Sequence, residues 1–370
     1  MKTYKNLMEK IASEENIKAA IMNASKRKRN RKDVKEVLDD MDTHVKRVQQ
    51  ILRNGTYKPH VDTPCIVNEG THHKVRRIRK PHFKYDQIIH HCIIQVLQPI
   101  FTAPMYEYSC GSIPGRGAHY GKKRIEKWLR RDVKNTKYVF KMDIKHFYES
   151  VDKEILKKML KAKIKDWQAL TLIFKVIDGC EKGLPLGNYT SQWFANFMLT
   201  PLDHYIKEQL KAKYYMRYMD DIVIFGRNKK ELHKARKAIE QYLRDNLKLK
   251  VKENWQVFRF EYKGRGRPLD FMGWQFYREK TVLRKSIFIR IMRKAKNVGK
   301  HTTIKGACGM ISYMGYIKHT DTYGSYINHI RPYVNIGKLK KFVAKRERRK
   351  NNAAKVEKSR GDAGRKAERD

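Results

Sequence analysis

The sequence predicts an α+β fold, and three observations carry that prediction. Tyr214–Tyr218 and Ile222–Phe225 are β-prone runs on either side of Met219-Asp220-Asp221, which reads as strand, tight turn and strand with two acids at the tip. Tyr138–Ile144 reads as a buried strand that also ends in an acid, Asp143. Around these lie long stretches of apolar residues at helical spacing, at 1–57, 85–101, 193–210 and 229–247.

Composition bounds the function. The 370 residues carry 84 Lys and Arg against 38 Asp and Glu, a formal net charge of +46, yet 41% are hydrophobic. That is enough apolar content for a core, so the chain is not a basic disordered tail. A globular chain this basic has a polyanion as its expected partner, nucleic acid first. The five cysteines are scattered without a Cys-x-x-Cys pair, so neither a zinc site nor a disulfide framework is indicated. The N-terminus lacks an apolar signal segment, and no apolar run approaches the length of a membrane span. A soluble, cytoplasmic protein without membrane contact is expected.

Within residues 1–57, Leu7 and Ile11 share one helix face, and Val34, Val37, Leu38, Met41, Val45, Val48 and Leu52 mark a single longer helix. The basic run Lys26–Lys32 between them reads either as a solvated linker or as a phosphate contact. Lys74-Val75-Arg76-Arg77-Ile78-Arg79-Lys80 alternates basic and apolar residues, as a strand with one cationic face would, and Pro81 ends it. A helix covers Tyr85–Phe101; its adjacent His90 and His91 read as packing or surface residues rather than ligands. The loop Gly111-Ser112-Ile113-Pro114-Gly115-Arg116-Gly117 sets three glycines around one Arg and is permissive enough to approach a phosphate backbone. A basic helix follows to Arg131.

After the Asp143 strand the chain turns into a helix through Asp152. Gly183-Leu184-Pro185-Leu186-Gly187-Asn188 is a loop leading into an apolar helix over Trp193–Leu210. Beyond the Asp-Asp hairpin, Lys229–Leu247 is an amphipathic helix and Leu249–Phe260 reads as strand. Gly264–Pro268 fits a minor-groove hook or a plain hairpin turn; Leu269–Phe276 is a short strand pair; residues 278–345 read as basic helices. From Lys338 on there are 14 Lys and Arg against 5 Asp and Glu.

One acid at a strand end, two at a hairpin tip, and basic elements around them suit phosphoryl transfer by two metals, which needs carboxylates on adjacent strands. In this order and spacing, over roughly residues 57–300, the motifs resemble those of reverse transcriptases. Tyr218-Met219-Asp220-Asp221 looks like the catalytic box, Phe140–Asp152 like the first-aspartate motif, and Lys74-x-Arg76 with Pro81 and Asp86 like the nucleotide-gripping fingers strand. Asp270-Phe271-Met272-Gly273-Trp274 looks like the primer grip.

The resemblance implies a right-hand polymerase: an N-terminal helical extension (1–57), fingers and an antiparallel palm backed by helices (58–277), a helical thumb (278–345), and a basic, disordered tail (346–370). It implies two Mg²⁺ ions, with Mn²⁺ as the alternative, held by Asp143, Asp220, Asp221 and the Ile144 carbonyl. Lys74 and Arg76 would grip the triphosphate; Tyr148, Leu186, Gly187 and Gln192 would shape the nucleotide pocket, Tyr148 as the gate against a ribose 2′-hydroxyl. Arg116, Tyr218, Met219, Gly273 and Trp274 would contact nucleic acid, and Lys248 or Lys250 would be the general acid.

A finer resemblance is to the diversity-generating retroelement branch. Leu186 stands where most reverse transcriptases carry Gln, and Ser191-Gln192 ends the motif; Gly111–His119 and Ser312–His319 also look like that branch. It implies error-prone copying at adenines of a template RNA into cDNA, from dNTPs and a primer. A small basic accessory protein, as one copy or several, is the implied partner. Antiphage-defence, retron and group II intron types are the rival assignments, and an RNA-binding scaffold without catalysis is the rival of another class. No maturase, endonuclease or ribonuclease H segment is expected after the thumb.

Overall fold

A computed structural model of the chain describes residues 2–60, 65–69, 74–346 and 348, without the side chains at 68, 69, 74 and 76. The predicted tail at 346–370 lies outside the described residues, apart from 346 and 348. The chain divides into two compact units, residues 1–128 with 132–259, and residues 129–131 with 260–370.

The first unit opens with helices Leu7–Ile11, Glu14–Ser25, Lys32–Asp39 and Met41–Arg53. The single helix expected across Val34–Leu52 is two, because Asp40 leaves helical geometry at φ −130° and ψ 60°. Aspartate is a poor interior residue and favours the position before a helix, where it begins the second segment. The second helix is capped as its sequence suggests, with the Ser13 side chain accepting from Asn16 N–H. Its buried face, Ile17, Ala20, Ile21 and Ala24, shares one core with Ile89 and Ile93 of the helix Ile88–Thr102. The Asn16 side chain donates to Cys92 C=O at 3.1 Å, so the N-terminal helices are part of this unit's core.

Strands β1 (Cys65–Glu69) and β2 (Lys74–Ile78) form an antiparallel ribbon; β2 was expected and β1 was not. The central sheet contains β3 (Ser109–Cys110), β4 (Tyr138–Asp143), β5 (Tyr214–Tyr218), β6 (Asp221–Gly226) and β7 (Gln256–Arg259), in the order β3-β5-β6-β4-β7. Neighbours run antiparallel except β3, which lies parallel to β5. Ile222, Val223, Ile224 and Phe225 are all buried, so β6 is covered on both faces. The helix Lys229–Leu247 supplies one cover through Leu232, Ile239, Leu243 and Leu247.

Two expectations are corrected here. The apolar helix begins at Tyr189 and stops at Met198, and a second starts at Thr200 with Pro201 in its first turn. Proline lacks the N–H that a continuing helix would need and is best placed in a first turn. Of Leu249–Phe260 only Gln256–Arg259 joins the ladder, because the chain turns at Glu253-Asn254.

In the second unit β8 (Leu269–Phe271), β9 (Trp274–Phe276) and β10 (Thr281–Leu283) make an antiparallel meander. Strand β10 corrects the purely helical reading of 278–345. Helices Lys285–Lys300, Ile304–Ile317 and Tyr323–His329 follow. Apart from residues 129–131, the unit runs from Phe260 onward. The Gly264 stretch is a hairpin turn: Lys263 and Gly264 have φ of 48° and 76°, and Tyr262 pairs with Arg265. All five cysteines are free. Among the described residues no helix is long and apolar enough to cross a membrane.

Candidate active site

The acids meet because of strand register. Asp143 ends β4 directly opposite Asp221, the first residue of β6. Tyr218 pairs with Asp221 across the hairpin, leaving Met219 and Asp220 as a two-residue turn, and Met219 adopts the left-handed φ of 55°. Asp220 is largely buried beside two other carboxylates. Burial is the main cause that pushes its carboxyl up to about 7; the Asp143 carboxylate comes next, by charge and as partner of the protonated form, and then Asp221.

Asp143 itself is met by the Lys252 ammonium at Oδ2, while its Oδ1 is buried and finds no donor while Asp220 is ionised. Among the described residues no three His, Cys, Asp or Glu side chains already stand as a metal cluster. The donor chemistry nevertheless fits a hard divalent cation: an orphaned buried carboxylate oxygen, and a second carboxyl whose ionisation is opposed by burial and by its neighbouring carboxylates. Asp143, Asp220 and Asp221 would hold it, with the carbonyl of Ile144.

A cavity of about 360 Å³ adjoins these acids, lined by Val75, Ile144, His146, Phe147, Tyr148, Glu149, Leu186, Asp220 and Lys252. Its walls are set by backbone constraints. His146, at φ 46°, turns the chain out of β4 into the short helix Phe147–Ser150 that carries Tyr148. Leu184 N–H then donates to Tyr148 C=O at 2.7 Å. At the other end of this loop, Arg79 N–H donates to Leu186 C=O at 2.7 Å. Gly187 follows at φ 107°, and a Cβ there would lie 2.0 Å from the Arg79 oxygen. Only glycine lets the loop run this close to the end of the β2 segment.

Residues 70–276 match the family model described as reverse transcriptase (RNA-dependent DNA polymerase). The chain belongs to the reverse transcriptase family. Over 250 residues it is 27% identical to the group II intron-encoded protein LtrA of Lactococcus lactis subsp. cremoris, covering 64% of this chain and 40% of LtrA. Protein YkfC of Escherichia coli K12 is 24% identical over 198 residues, covering 48% of this chain and 51% of YkfC. The chain therefore spans about half or less of the curated relatives it matches. Apo telomerase from Candida tropicalis superposes with a TM-score of 0.50 at 14% identity, over 70% of this chain and 54% of that one, a likeness of fold alone.

In this chain the structure brings Asp143, Asp220 and Asp221 together, places Ile144, Tyr148, Leu186 and Asp220 on one cavity, and sets Gly187 close against the end of the β2 segment. Lys74 and Arg76 lie on β2, but their side chains lie outside the described residues. Gln192 is exposed and does not line the cavity. The Arg116 guanidinium donates to Tyr106 C=O at 3.1 Å and so braces its own loop. Tyr218 and Met219 are half-buried at the hairpin tip. Gly273, at φ 89°, shapes the turn between β8 and β9 in the second unit. Trp274, expected to contact nucleic acid, is fully buried in that unit, where its ring serves packing rather than base stacking.

The lysine choice is also corrected. Lys248 closes a helix in left-handed geometry and pairs with Asp152 at 2.8 Å, and Lys250 C=O accepts from Lys145 N–H at 2.7 Å. Neither lines the cavity; Lys252 does. The alternation Leu249-Lys250-Val251-Lys252 signals lysines on one face, but only the bridge between Ile144 and Val251 fixes which one reaches Asp143.

Proposed function

We propose that this chain is an RNA-directed DNA polymerase that adds deoxynucleotides to a primer on a template RNA, and that it belongs to the diversity-generating branch. The observation that carries the catalytic reading is that Asp220 and Lys252 line one cavity with Tyr148 and Leu186, while Asp143 pairs with Lys252 and lies opposite Asp221. Mg²⁺ or Mn²⁺ is the cofactor this reading calls for; when bound it would lower the pKa of the attacking 3′-hydroxyl and offset the negative charge at the phosphorus. Asp143, Asp220 and Asp221 would hold the ions. Tyr148 sets a ring against the sugar and disfavours a 2′-hydroxyl. Lys252, which lines the same cavity, is the ammonium positioned to protonate leaving pyrophosphate.

Leu186 supports the diversity-generating assignment. It presents an apolar wall where a polar side chain could hydrogen-bond the incoming nucleotide, and apolar walls discriminate far less sharply than polar contacts. Template RNA, a primer and a small basic accessory protein are the partners this reading calls for. The likeness to LtrA favours a second reading, a group II intron-type enzyme. Primer extension on an RNA template tests the catalytic step: divalent-dependent synthesis by the wild type, abolished in Asp220→Ala, is expected, and synthesis that survives the substitution overturns it. Misincorporation opposite template adenine separates the branches. Leu186→Gln should lower it severalfold, and unchanged fidelity leaves the intron-type reading standing.

A further inference from the structure

We propose that Arg217, held by Asp203 and Asn196, is a positioning residue that fixes the catalytic hairpin tip and ties it to the helix behind the nucleotide loop. The proposal rests on the polymerase reading above. Arg217 and Asp203 have side chains with 0% exposure and form a paired fork: Nε donates to Oδ1 at 2.7 Å and Nη2 to Oδ2 at 2.6 Å. Asp203 also accepts from Ser109 Oγ at 2.6 Å and Tyr215 Oη at 2.5 Å. The carboxylate is thus fully engaged, and the guanidinium cannot swing away from it.

That leaves Nη1, which does two things. It donates to Met219 C=O at 3.1 Å, the carbonyl immediately before Asp220, and to Asn196 Oδ1 at 2.9 Å. Asn196 in turn donates to Gly111 C=O at 3.1 Å. From the other side Met219 N–H donates to Cys110 C=O at 3.0 Å, and a Cβ on Gly111 would lie 3.0 Å from Met219 Cγ. Met219 is therefore gripped at its amide, its carbonyl and its side chain. A left-handed methionine costs energy and persists only where its surroundings over-determine it.

A plain core ion pair does not account for this arrangement. A buried pair is no more stabilising than apolar residues of the same volume, and such a pair has no need of a donor aimed at the residue before a catalytic acid. The planar fork is also specific to Arg, since Lys offers a point charge that cannot serve Asp203, Asn196 and Met219 at once. Asn196 sits on the helix Tyr189–Met198, which starts two residues after Gly187. The acids and the nucleotide-selecting loop thus share one anchor.

The test uses the full chain with Arg217→Lys and, separately, Asn196→Ser, which leaves the Arg217–Asp203 pair intact. Arg217→Lys should lower kcat for nucleotide insertion about 10- to 100-fold, as misplacement of about 1 Å does. It should leave KM for template–primer unchanged and raise the Mn²⁺ concentration needed for half-maximal rate. Amide hydrogen exchange over residues 216–224 should quicken in both variants while β4 and the helix Lys229–Leu247 keep wild-type protection. Wild-type kcat and exchange in Arg217→Lys overturn the proposal. So does faster exchange across the whole sheet, which marks a merely structural role. If Arg217→Lys does not fold, Asn196→Ser decides by the same two readouts. A wild type without synthesis defeats the polymerase reading instead, and local exchange at the tip then judges the positioning role alone.

Discussion

The two ends of the palm sheet carry opposite charge and treat it in opposite ways. At one end Asp143 and Asp221 face each other with Asp220 between the strands. At the other, Tyr138 pairs with Gly226, and a cavity of about 550 Å³ is lined by Lys137, Arg227, Lys229, Lys230 and His233 without any acid. Five residues of strand separate the ends, about 17 Å. The acids are half-buried and pressed together, with the Lys252 ammonium at Asp143, so their mutual repulsion is weakly screened. The cations are on flexible, solvated side chains, where like charges are screened and cost little. Charge is tolerated at the open end and concentrated at the enclosed one, where it has chemistry to do.

The largest effect should come from removing the ammonium at the acid end. Lys252→Ala leaves Asp143 unanswered and takes away the proposed proton donor, so single-turnover insertion should slow about 100-fold. A rate within threefold of wild type removes Lys252 from the chemistry and leaves it a counter-ion.

The next effect is on stability. Asp220 holds its proton up to about 7 in the folded chain, whereas an unfolded aspartate loses it near its ordinary value. Between those points the folded state binds more protons, so stability declines as pH rises through that window and stays lowered above it. Asp220→Asn cannot ionise. In EDTA at pH 8 it should unfold at higher temperature than wild type, by about 2–4 kcal/mol of stability, with the gap closing toward pH 4. Thermal melts at the two pH values measure this, and a gap independent of pH sinks the account of a strained carboxyl.

The smallest effect belongs to the opposite end. Lys229→Gln with Lys230→Gln should leave the insertion rate unchanged. If RNA phosphates visit that cavity, the slope of log affinity against log salt should become shallower by about 2, as expected for two lost phosphate contacts. A slower insertion rate in this variant would mean the two ends are not independent.

How much of this was readable beforehand follows the range of the interactions. The hairpin was legible because β-branched and aromatic runs flank two acids, and the helix Lys229–Leu247 because its apolar residues recur every three or four positions. The acid pairing was legible through the resemblance, since nothing local says that Asp143 lies opposite Asp221. Lys252 was missed for a register reason: a turn at Glu253-Asn254 shortens the strand, and the bridge to Ile144 selects the lysine. Arg217 was visible as a lone cation in an apolar strand, but Asp203 and Asn196 come from helices whose packing no local pattern announces. The burial of Trp274 was hidden in the same way, because an aromatic beside a turn reads alike whether it faces solvent or core.

The stitch between Arg79 and Leu186 has a consequence for anyone wishing to retune this enzyme. Because Gly187 leaves no room for a side chain beside the Arg79 carbonyl, the β2 segment and the loop that carries Leu186 share a seam. Lengthening or stiffening the loop would drag that segment with it and disturb every nucleotide alike. On the proposed reading, accuracy would be altered without that penalty by exchanging the side chain at 186 over an untouched backbone, which would make this position a dial and its neighbours the fixed housing.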